Sequence, residues 1–142
     1  MLYLDTSALL PFYREERASA AVERLLLAQR EPALLSRLGE LEVASALARW
    51  VRLRELGEAQ ANQVENAFRE DVRAGRFRLL DIEPGDYGRA CEWLLARKTP
   101  LRVLDALHLA CALRHEAELV TADAVMARAA RHFGLRVKRI EA

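Results

Sequence analysis

The chain alternates short apolar segments with longer stretches of helical periodicity, and this alternation constrains its fold more than any other feature. The apolar segments are residues 1–4, 33–36, 77–82, 119–121 and 135–140. Helical periodicity runs through residues 17–29, 38–54, 58–74, 86–97, 101–114 and 124–133. Short strands separated by helices predict an α/β fold with a mostly parallel sheet of about five strands.

Glycine and proline residues punctuate the same pattern. Gly57 and Gly134 each follow a helical stretch, where a left-handed residue commonly ends a helix. Pro84 and Pro100 precede helical stretches, where a missing N–H does no harm. The two consecutive helices after the second strand predict a helical hairpin. The length of 142 residues and the absence of a linker or repeat predict one domain over residues 1–142.

The charge balance limits how the protein can hold a charged partner. Lys and Arg total 22 against 21 Asp and Glu, a formal net charge of +1. A protein that binds nucleic acid through its overall charge is expected to be basic, so any RNA must be held by a local patch. The candidate cations, all solvated surface residues by default, are Arg14, Arg17, Arg37, Arg97, Lys98 and Arg102.

Several chemically distinctive side chains are expected in the core. Cys91 and Cys111 lie in amphipathic stretches without metal-type spacing, so we expect both to be small buried apolar residues in a reducing compartment. His108 lies in the most apolar helical stretch and is expected to pack there as a core residue. Trp50 and Trp93 are interpreted as core anchors.

The sequence also bears on localisation. No apolar run approaches the roughly 18 residues of a membrane-spanning helix. The start of the chain has no cationic region and is interrupted by an acid, unlike a secretory signal. We therefore expect a cytoplasmic protein without membrane contact.

Three aspartates lie among apolar residues. Asp5 ends the first predicted strand, Asp123 follows the fourth, and Asp105 lies near the start of the most apolar helix. Ligand crevices of open α/β sheets lie beyond the carboxyl ends of the strands. The strands therefore place Asp5 and Asp123 at this crevice, and Asp105 reaches it if its helix begins there.

A group of carboxylates in one crevice has a chemical consequence. The charges repel one another unless a cation or shared protons relieve them. Oxygen ligands of this kind suit Mg²⁺ or Mn²⁺. Such an ion can activate water and neutralise charge on a phosphoryl group. The residues alone thus predict metal-dependent phosphoryl chemistry without choosing a substrate.

Four motifs along the chain carry a family resemblance. They are Leu-Asp-Thr-Ser-Ala-Leu-Leu at 4–10, Leu-Glu-Val-Ala-Ser-Ala-Leu at 41–47, Leu-Asp-Ala-Leu-His-Leu-Ala at 104–110 and Val-Thr-Ala-Asp at 120–123. Each motif is weak alone, but the ordered set, which spans nearly the whole chain, resembles the PIN-domain family and within it the VapC-type toxins of toxin–antitoxin pairs.

The resemblance implies a fold, an activity and site residues. It implies a three-layer α/β/α domain, a Mg²⁺- or Mn²⁺-dependent endoribonuclease, a VapB-type antitoxin partner and a homodimer. By motif position, the acids that would be catalytic and hold the metal are Asp5, Glu42, Asp105 and Asp123. The residues that would support the metal site or the substrate phosphate are Thr6, Ser7 and Thr121.

Each acid also has a purely structural interpretation. Asp5 and Asp123 stand where helix N-caps belong, and Asp105 lies in a first helical turn, where the helix dipole favours an acid. Glu40 lies two residues from Glu42, on nearly the opposite side of a helix, so only one of them is expected to face the crevice. The motif favours Glu42.

Two other functional classes, a phosphatase and a receiver domain, fit the residues less well. A phosphatase of the haloacid-dehalogenase type needs a second Asp two residues after the first, where this chain has Ser7. A receiver domain needs an acidic pair upstream of its phosphorylated Asp, and Asp81 lacks one. The third alternative is a catalytically silent PIN-like domain that serves as a scaffold.

Overall fold

A five-stranded parallel sheet forms the centre of the computed structural model, which describes residues 1–141. The strands are β1 (Leu2–Leu4), β2 (Ala33–Ser36), β3 (Phe77–Leu80), β4 (Glu118–Thr121) and β5 (Val137–Arg139). They lie in the order β3-β2-β1-β4-β5, and every neighbouring pair is parallel. The predicted α/β fold with five short parallel strands is confirmed.

Within residues 1–141, seven helices connect and cover the strands. They are α1 (Thr6–Tyr13), α2 (Ser19–Leu27), α3 (Arg37–Arg52), α4 (Glu58–Arg73), α5 (Pro84–Ala96), α6 (Val103–Arg114) and α7 (Ala124–His132). The predicted hairpin between the second and third strands is formed by α3 and α4. None of the helices within residues 1–141 is both long and apolar enough to cross a membrane.

The helices cover both faces of the sheet. Tyr3 points to one face, where it joins a core built with α5, α6 and α7. Leu2 and Leu4 point to the other face and pack with residues of α1 to α4. Strands buried on both faces explain the uninterrupted apolar run of β1. The chain therefore has the three-layer α/β/α arrangement that the resemblance implied.

The strand order brings chemically active residues to one edge of the sheet. Because β1 lies between β2 and β4, the parallel strands end side by side. Asp5 follows β1, Ser36 ends β2, and Thr121 ends β4 two residues before Asp123. The Asp5 N–H donates to the Val120 carbonyl at 3.2 Å, which fixes the end of β1 against β4.

Two expectations from the sequence are wrong. Gly57 is not a left-handed helix end: its φ is −78° and it is the N-cap of α4, whereas the positive φ after α3 belongs to Arg54. Cys91 is exposed, because it lies on the solvent side of α5, and only Cys111 is buried. Gly134, with φ of 86°, does adopt the predicted left-handed conformation after α7.

Candidate active site

Asp5 is held in a nearly closed environment at the carboxyl end of β1. Its side chain is only 4% exposed. The Ser7 hydroxyl donates to its Oδ1 at 2.7 Å, the Thr121 hydroxyl to its Oδ2 at 2.5 Å, and the Ala8 N–H to its Oδ1 at 3.0 Å. Asp5 is thus the N-cap of α1, so its structural interpretation is confirmed, while the hydroxyls of two motif residues fix both of its oxygens.

Ser7 and Thr121 also join α1 to the loop after β4. Their hydroxyl oxygens are 3.2 Å apart. The Ala122 N–H donates to Ser7 Oγ at 2.9 Å, and the Asp123 N–H donates to Thr121 Oγ1 at 3.1 Å. One hydrogen-bonded network therefore runs from Asp5 to the backbone of Asp123.

Glu42 is positioned by two donors from different elements. The Thr6 hydroxyl donates to Glu42 Oε1 at 2.8 Å, and His108 Nε2 lies in a very short contact with the same oxygen. The Tyr3 hydroxyl and His108 Nδ1 are 2.7 Å apart, so Tyr3 fixes the orientation of the imidazole. Glu40 lies outside this group and pairs with Arg37 at 3.6 Å. The preference for Glu42 over Glu40 therefore agrees with the contacts.

Three of the four predicted acids line one cleft, which we call the acidic cleft. Its volume is about 730 Å³. The acids are Glu42, Asp105 and Asp123, and the other lining residues are Pro100, Arg102, Val103, Leu104 and Val125. The buried Asp5 is not among the lining residues. It connects to the cleft through its neighbour Thr6, which binds Glu42, and through the Thr121 hydroxyl.

Asp123 has a structural role as well. Its Oδ1 accepts hydrogen bonds from the Val125 N–H at 2.8 Å and the Met126 N–H at 3.2 Å, so it caps α7. The predicted capping role is confirmed. Oδ1 makes both capping bonds, so capping and a role in the cleft are compatible.

The electrostatic environments of these acids differ. Burial raises the pKa of Asp5, although the hydroxyls of Thr121 and Ser7 favour its charged form. Burial also raises the pKa of Asp105, and the negative charges of Asp123 and Glu42 raise it further. For Glu42 burial acts in the same direction, but the hydrogen bond from His108, the charge of that imidazole and the hydrogen bond from Thr6 together outweigh it, so the pKa is lowered.

The donor chemistry of the site fits a divalent cation, but the side chains are not gathered around an ion position. Within residues 1–141, no group of three His, Cys, Asp or Glu side chains is placed to hold a metal ion. The carboxylate oxygens are nevertheless ligands of the type that Mg²⁺ and Mn²⁺ take. The repulsion that raises the pKa of Asp105 is the kind that a bound cation relieves.

Sequence reasoning missed the part of Tyr3 and His108 in the site. His108 is 2% exposed and Tyr3 is fully buried, as expected of core residues, yet both belong to the hydrogen-bonded chain that ends on Glu42. A signal was available in the sequence. His108 follows Asp105 by three residues in α6, and side chains three residues apart lie on the same face of a helix. The sequence could not identify Glu42 as the partner of His108, because Glu42 lies on a different helix, α3.

Comparison with known proteins identifies the family. The PIN domain family model matches residues 2–132. The chain belongs to the PIN-domain family. The motifs that suggested this resemblance are therefore part of a match over nearly the entire chain. None of the curated protein sequences matches this PIN domain.

Solved structures share the fold of this PIN domain at low sequence identity. VapC20 from Mycobacterium tuberculosis, described as a Sarcin-Ricin loop cleaving toxin, is 15% identical, with a TM-score of 0.69 over 91% of this chain and 95% of that chain. VapBC2 from Rickettsia felis, bound to a promoter DNA fragment, is 18% identical, with a TM-score of 0.71 over 99% and 100%.

A third structure extends the comparison. FitAcB from Neisseria gonorrhoeae is 19% identical, with a TM-score of 0.69 over 96% of each chain. At these identities the structural likeness establishes the fold.

Proposed function

We propose that this PIN domain is a Mg²⁺- or Mn²⁺-dependent endoribonuclease and the toxin of a VapBC-type toxin–antitoxin pair. The observation that carries the proposal is the acidic cleft, which Glu42, Asp105 and Asp123 line and beside which Asp5 is buried. Membership of the PIN family supports nuclease chemistry. RNA is favoured as the substrate because a structural neighbour is described as cleaving the Sarcin-Ricin loop.

The residues of the chain have separate tasks in this proposal. Asp5, Glu42, Asp105 and Asp123 would hold the divalent ion. When bound, such an ion makes water a better nucleophile and neutralises charge on the phosphoryl group. Thr6 and His108 orient Glu42, and their hydrogen bonds favour its ionised form and so lower its pKa.

Ser7 and Thr121 orient the deepest acid of the site. Their hydroxyls hold the two oxygens of Asp5, so the carboxylate cannot rotate freely. A hydrogen-bonded carboxylate that is fixed before substrate arrives needs little reorganisation during the reaction. We propose that this preorganisation is the contribution of the first motif and of the Val-Thr-Ala-Asp motif.

The test compares acids inside and outside the site. Asp5→Asn and Asp105→Asn should abolish Mg²⁺-dependent cleavage of RNA, whereas Asp81→Asn should cleave as the wild type does. Asp81 is the matched control because its side chain is 82% exposed and only pairs with Arg37. Undiminished cleavage by both site variants would overturn the assignment. A folded wild type that neither binds divalent ions nor cleaves RNA would favour the scaffold alternative.

We also propose an antitoxin partner of the VapB type. The support is structural: the neighbours include toxin–antitoxin complexes, such as VapBC2 from Rickettsia felis. Expression of this chain alone should arrest growth, and co-expression with the small protein encoded beside it should restore growth and co-purify. Growth arrest by the Asp105→Asn variant would show that toxicity does not come from the proposed active site.

A homodimer is proposed as the assembly of the toxin. Large apolar side chains remain exposed in the single chain, among them Leu41 at 66%, Tyr87 at 58% and Leu95 at 73%. Contact with a second copy of the chain would remove such apolar surface from water, which favours association. Sedimentation equilibrium should give twice the chain mass of 16.1 kDa, and Leu95→Asp should reduce it if this residue lies in the interface.

A further inference from the structure

A second, smaller cleft adjoins the acidic cleft and differs from it in charge. Its volume is about 160 Å³, and it shares Pro100 and Val125 with the acidic cleft as a common wall. Its remaining lining residues are Lys98, Thr99, Arg128, Ala129 and His132. None of these residues is acidic, so we call it the cationic cleft. A ligand that crosses Pro100 and Val125 moves directly from one cleft to the other.

The basic side chains of this cleft come from two separate segments of the chain. Lys98 and Thr99 lie in the loop between α5 and α6. Arg128 and His132 lie on α7 four residues apart, and therefore on one helix face. The fold thus brings two cationic segments together at the rim of the proposed active site.

Lys98 and Arg128 are not engaged with acids. Both are exposed, and within the described residues 1–141 neither forms an ion pair. By contrast, Arg37, Arg69, Arg73 and Arg76 each pair with a carboxylate. Among the described residues, no neighbouring carboxylate therefore competes with a ligand for Lys98 and Arg128.

We propose that the cationic cleft binds a phosphate of the RNA strand next to the phosphate that is cleaved. The inference rests on the proposed ribonuclease function. Carboxylates in the acidic cleft repel an RNA backbone, and Arg102 is the one cation among its described lining residues, so further cations beside the cleft are needed to hold the strand. The cationic cleft offers the charges of Lys98 and Arg128 and the Thr99 hydroxyl, all of them groups that commonly bind phosphate oxygens.

The position of the cleft favours RNA over an acidic protein segment as its ligand. The wall formed by Pro100 and Val125 is continuous with the cleft that holds Asp105 and Asp123. A strand whose reacting phosphate lies beside those acids carries its next phosphates past this wall. Because the net charge of the chain is only +1, such a local contact can account for a large share of backbone binding.

The experiment measures RNA binding and cleavage after removal of these charges. Steady-state cleavage of a labelled single-stranded oligoribonucleotide in Mg²⁺ is compared for the wild type, Lys98→Ala, Arg128→Ala and the double variant. Matched controls are Arg131→Ala, an exposed arginine on the same helix, and Lys138→Ala, the only other lysine of the chain. Neither control residue lines either cleft.

The inference predicts a specific kinetic signature. The double variant should raise KM about tenfold with kcat nearly unchanged, because Lys98 and Arg128 bind the strand and do not touch the reacting phosphate. The slope of log affinity against log salt, measured in the Asp5→Asn background, should decrease by about 0.7 for each phosphate that the variant no longer neutralises. Both control variants should match the wild type.

Three results would overturn the inference. If the wild type cleaves RNA but the double variant has the KM and salt slope of Arg131→Ala, the ribonuclease function stands and the phosphate site is wrong. If the double variant loses affinity only for a co-expressed antitoxin, the cleft binds a protein partner. If the wild type neither binds nor cleaves RNA, the proposed function and this inference both fail.

Discussion

Different neighbours set the orientation and the pKa of each acid of the site. Hydroxyl donors from Ser7 and Thr121 hold Asp5, whereas the imidazole of His108 lowers the pKa of Glu42. Asp105 has no comparable side-chain donor within the described residues, and nearby negative charge raises its pKa further. A cation bound beside Asp105 would therefore relieve its repulsion with Asp123 and Glu42.

This repulsion predicts a gain in stability when the charge is removed. A raised pKa means that ionised Asp105 disfavours the folded state, so stability falls as pH rises through the folded pKa. At neutral pH, Asp105→Asn should increase the free energy of unfolding by about 1 kcal/mol. Denaturant titration measures this difference in the free energy of unfolding, and Asp81→Asn is the control.

Added divalent ion should reverse the order of stability, so that the wild type becomes more stable than Asp105→Asn. Mg²⁺ stabilises a folded protein that binds it, by about 2.7 kcal/mol at 100 times its Kd. Wild-type Tm should therefore rise with Mg²⁺, and that of Asp105→Asn should stay nearly constant. Equal responses of the two proteins would contradict a metal-binding role for Asp105.

The chain from Tyr3 through His108 to Glu42 allows a second test at the scale of single residues. Tyr3→Phe removes the hydroxyl that meets His108 Nδ1 and leaves that nitrogen buried without its partner. The free energy of unfolding should fall by about 1–2 kcal/mol. Tyr87→Phe is the matched control, because Tyr87 is 58% exposed and should show no change. Equal stability of both variants would show that the hydroxyl contributes nothing.

The sequence predicted which residues belong to the site better than it predicted the contacts between them. The aspartates were found because strand ends and an apolar helix start can be recognised locally. The contact of Glu42 with His108 spans 66 positions and depends on how α3 packs beside α6, which local periodicity does not encode. For the same reason, nothing in the sequence placed Asp5 beneath the cleft instead of on its wall.

At the scale of helices, the ion pair between the buried Asp86 and Arg114 joins α5 to α6. Asp86 is 2% exposed and receives hydrogen bonds from Arg114 at 2.9 and 3.0 Å. It also accepts the Glu83 N–H at 2.9 Å, which caps α5. Since α6 carries Asp105 and His108, this pair helps to fix the helix that supports the site.

The ion pair predicts a pH-dependent stability difference. Burial raises the pKa of Asp86, but the hydrogen bonds and charge of Arg114 and the hydrogen bond from the Glu83 N–H together outweigh it and lower the pKa below its usual value of 3.8. The stabilisation is thus present above pH 3.8 and is lost as pH falls through the folded pKa. Asp86→Asn should lose about 3 kcal/mol of unfolding free energy at neutral pH.

The measurement is denaturant unfolding at neutral and at acid pH. The difference between Asp86→Asn and the wild type should shrink as the pH falls below 3.8. Glu92→Gln, an exposed acid on the same helix, provides the control and should match the wild type. A difference that does not change with pH would assign the effect to packing instead of charge.

The strands show why element boundaries were less predictable than element types. Residues 77–82 were expected to form one strand, but β3 ends at Leu80 because only Phe77–Leu80 pairs with β2. Similarly, β5 begins at Val137 and not at residue 135. Apolar sequence continues beyond the paired residues in both segments, so hydropathy alone could not find where the ladder ends.

At the scale of the whole molecule, charge is arranged locally and not globally. The net charge is +1, yet the acidic and cationic clefts lie side by side on one edge of the sheet. The sequence predicted that any RNA would need a local patch, and Lys98 and Arg102 were among its candidates. Arg128 was not, because only the fold brings α7 beside the loop after α5.

The central claim is that the acids at this edge support hydrolysis of RNA by water. The most direct measurement is cleavage mapping on total cellular RNA, in Mg²⁺ and in chelator, with wild type and Asp5→Asn. We predict discrete Mg²⁺-dependent ends without a 2′,3′-cyclic phosphate, produced only by the wild type. Cyclic phosphate ends, or the same ends from Asp5→Asn or in chelator, would contradict the claim.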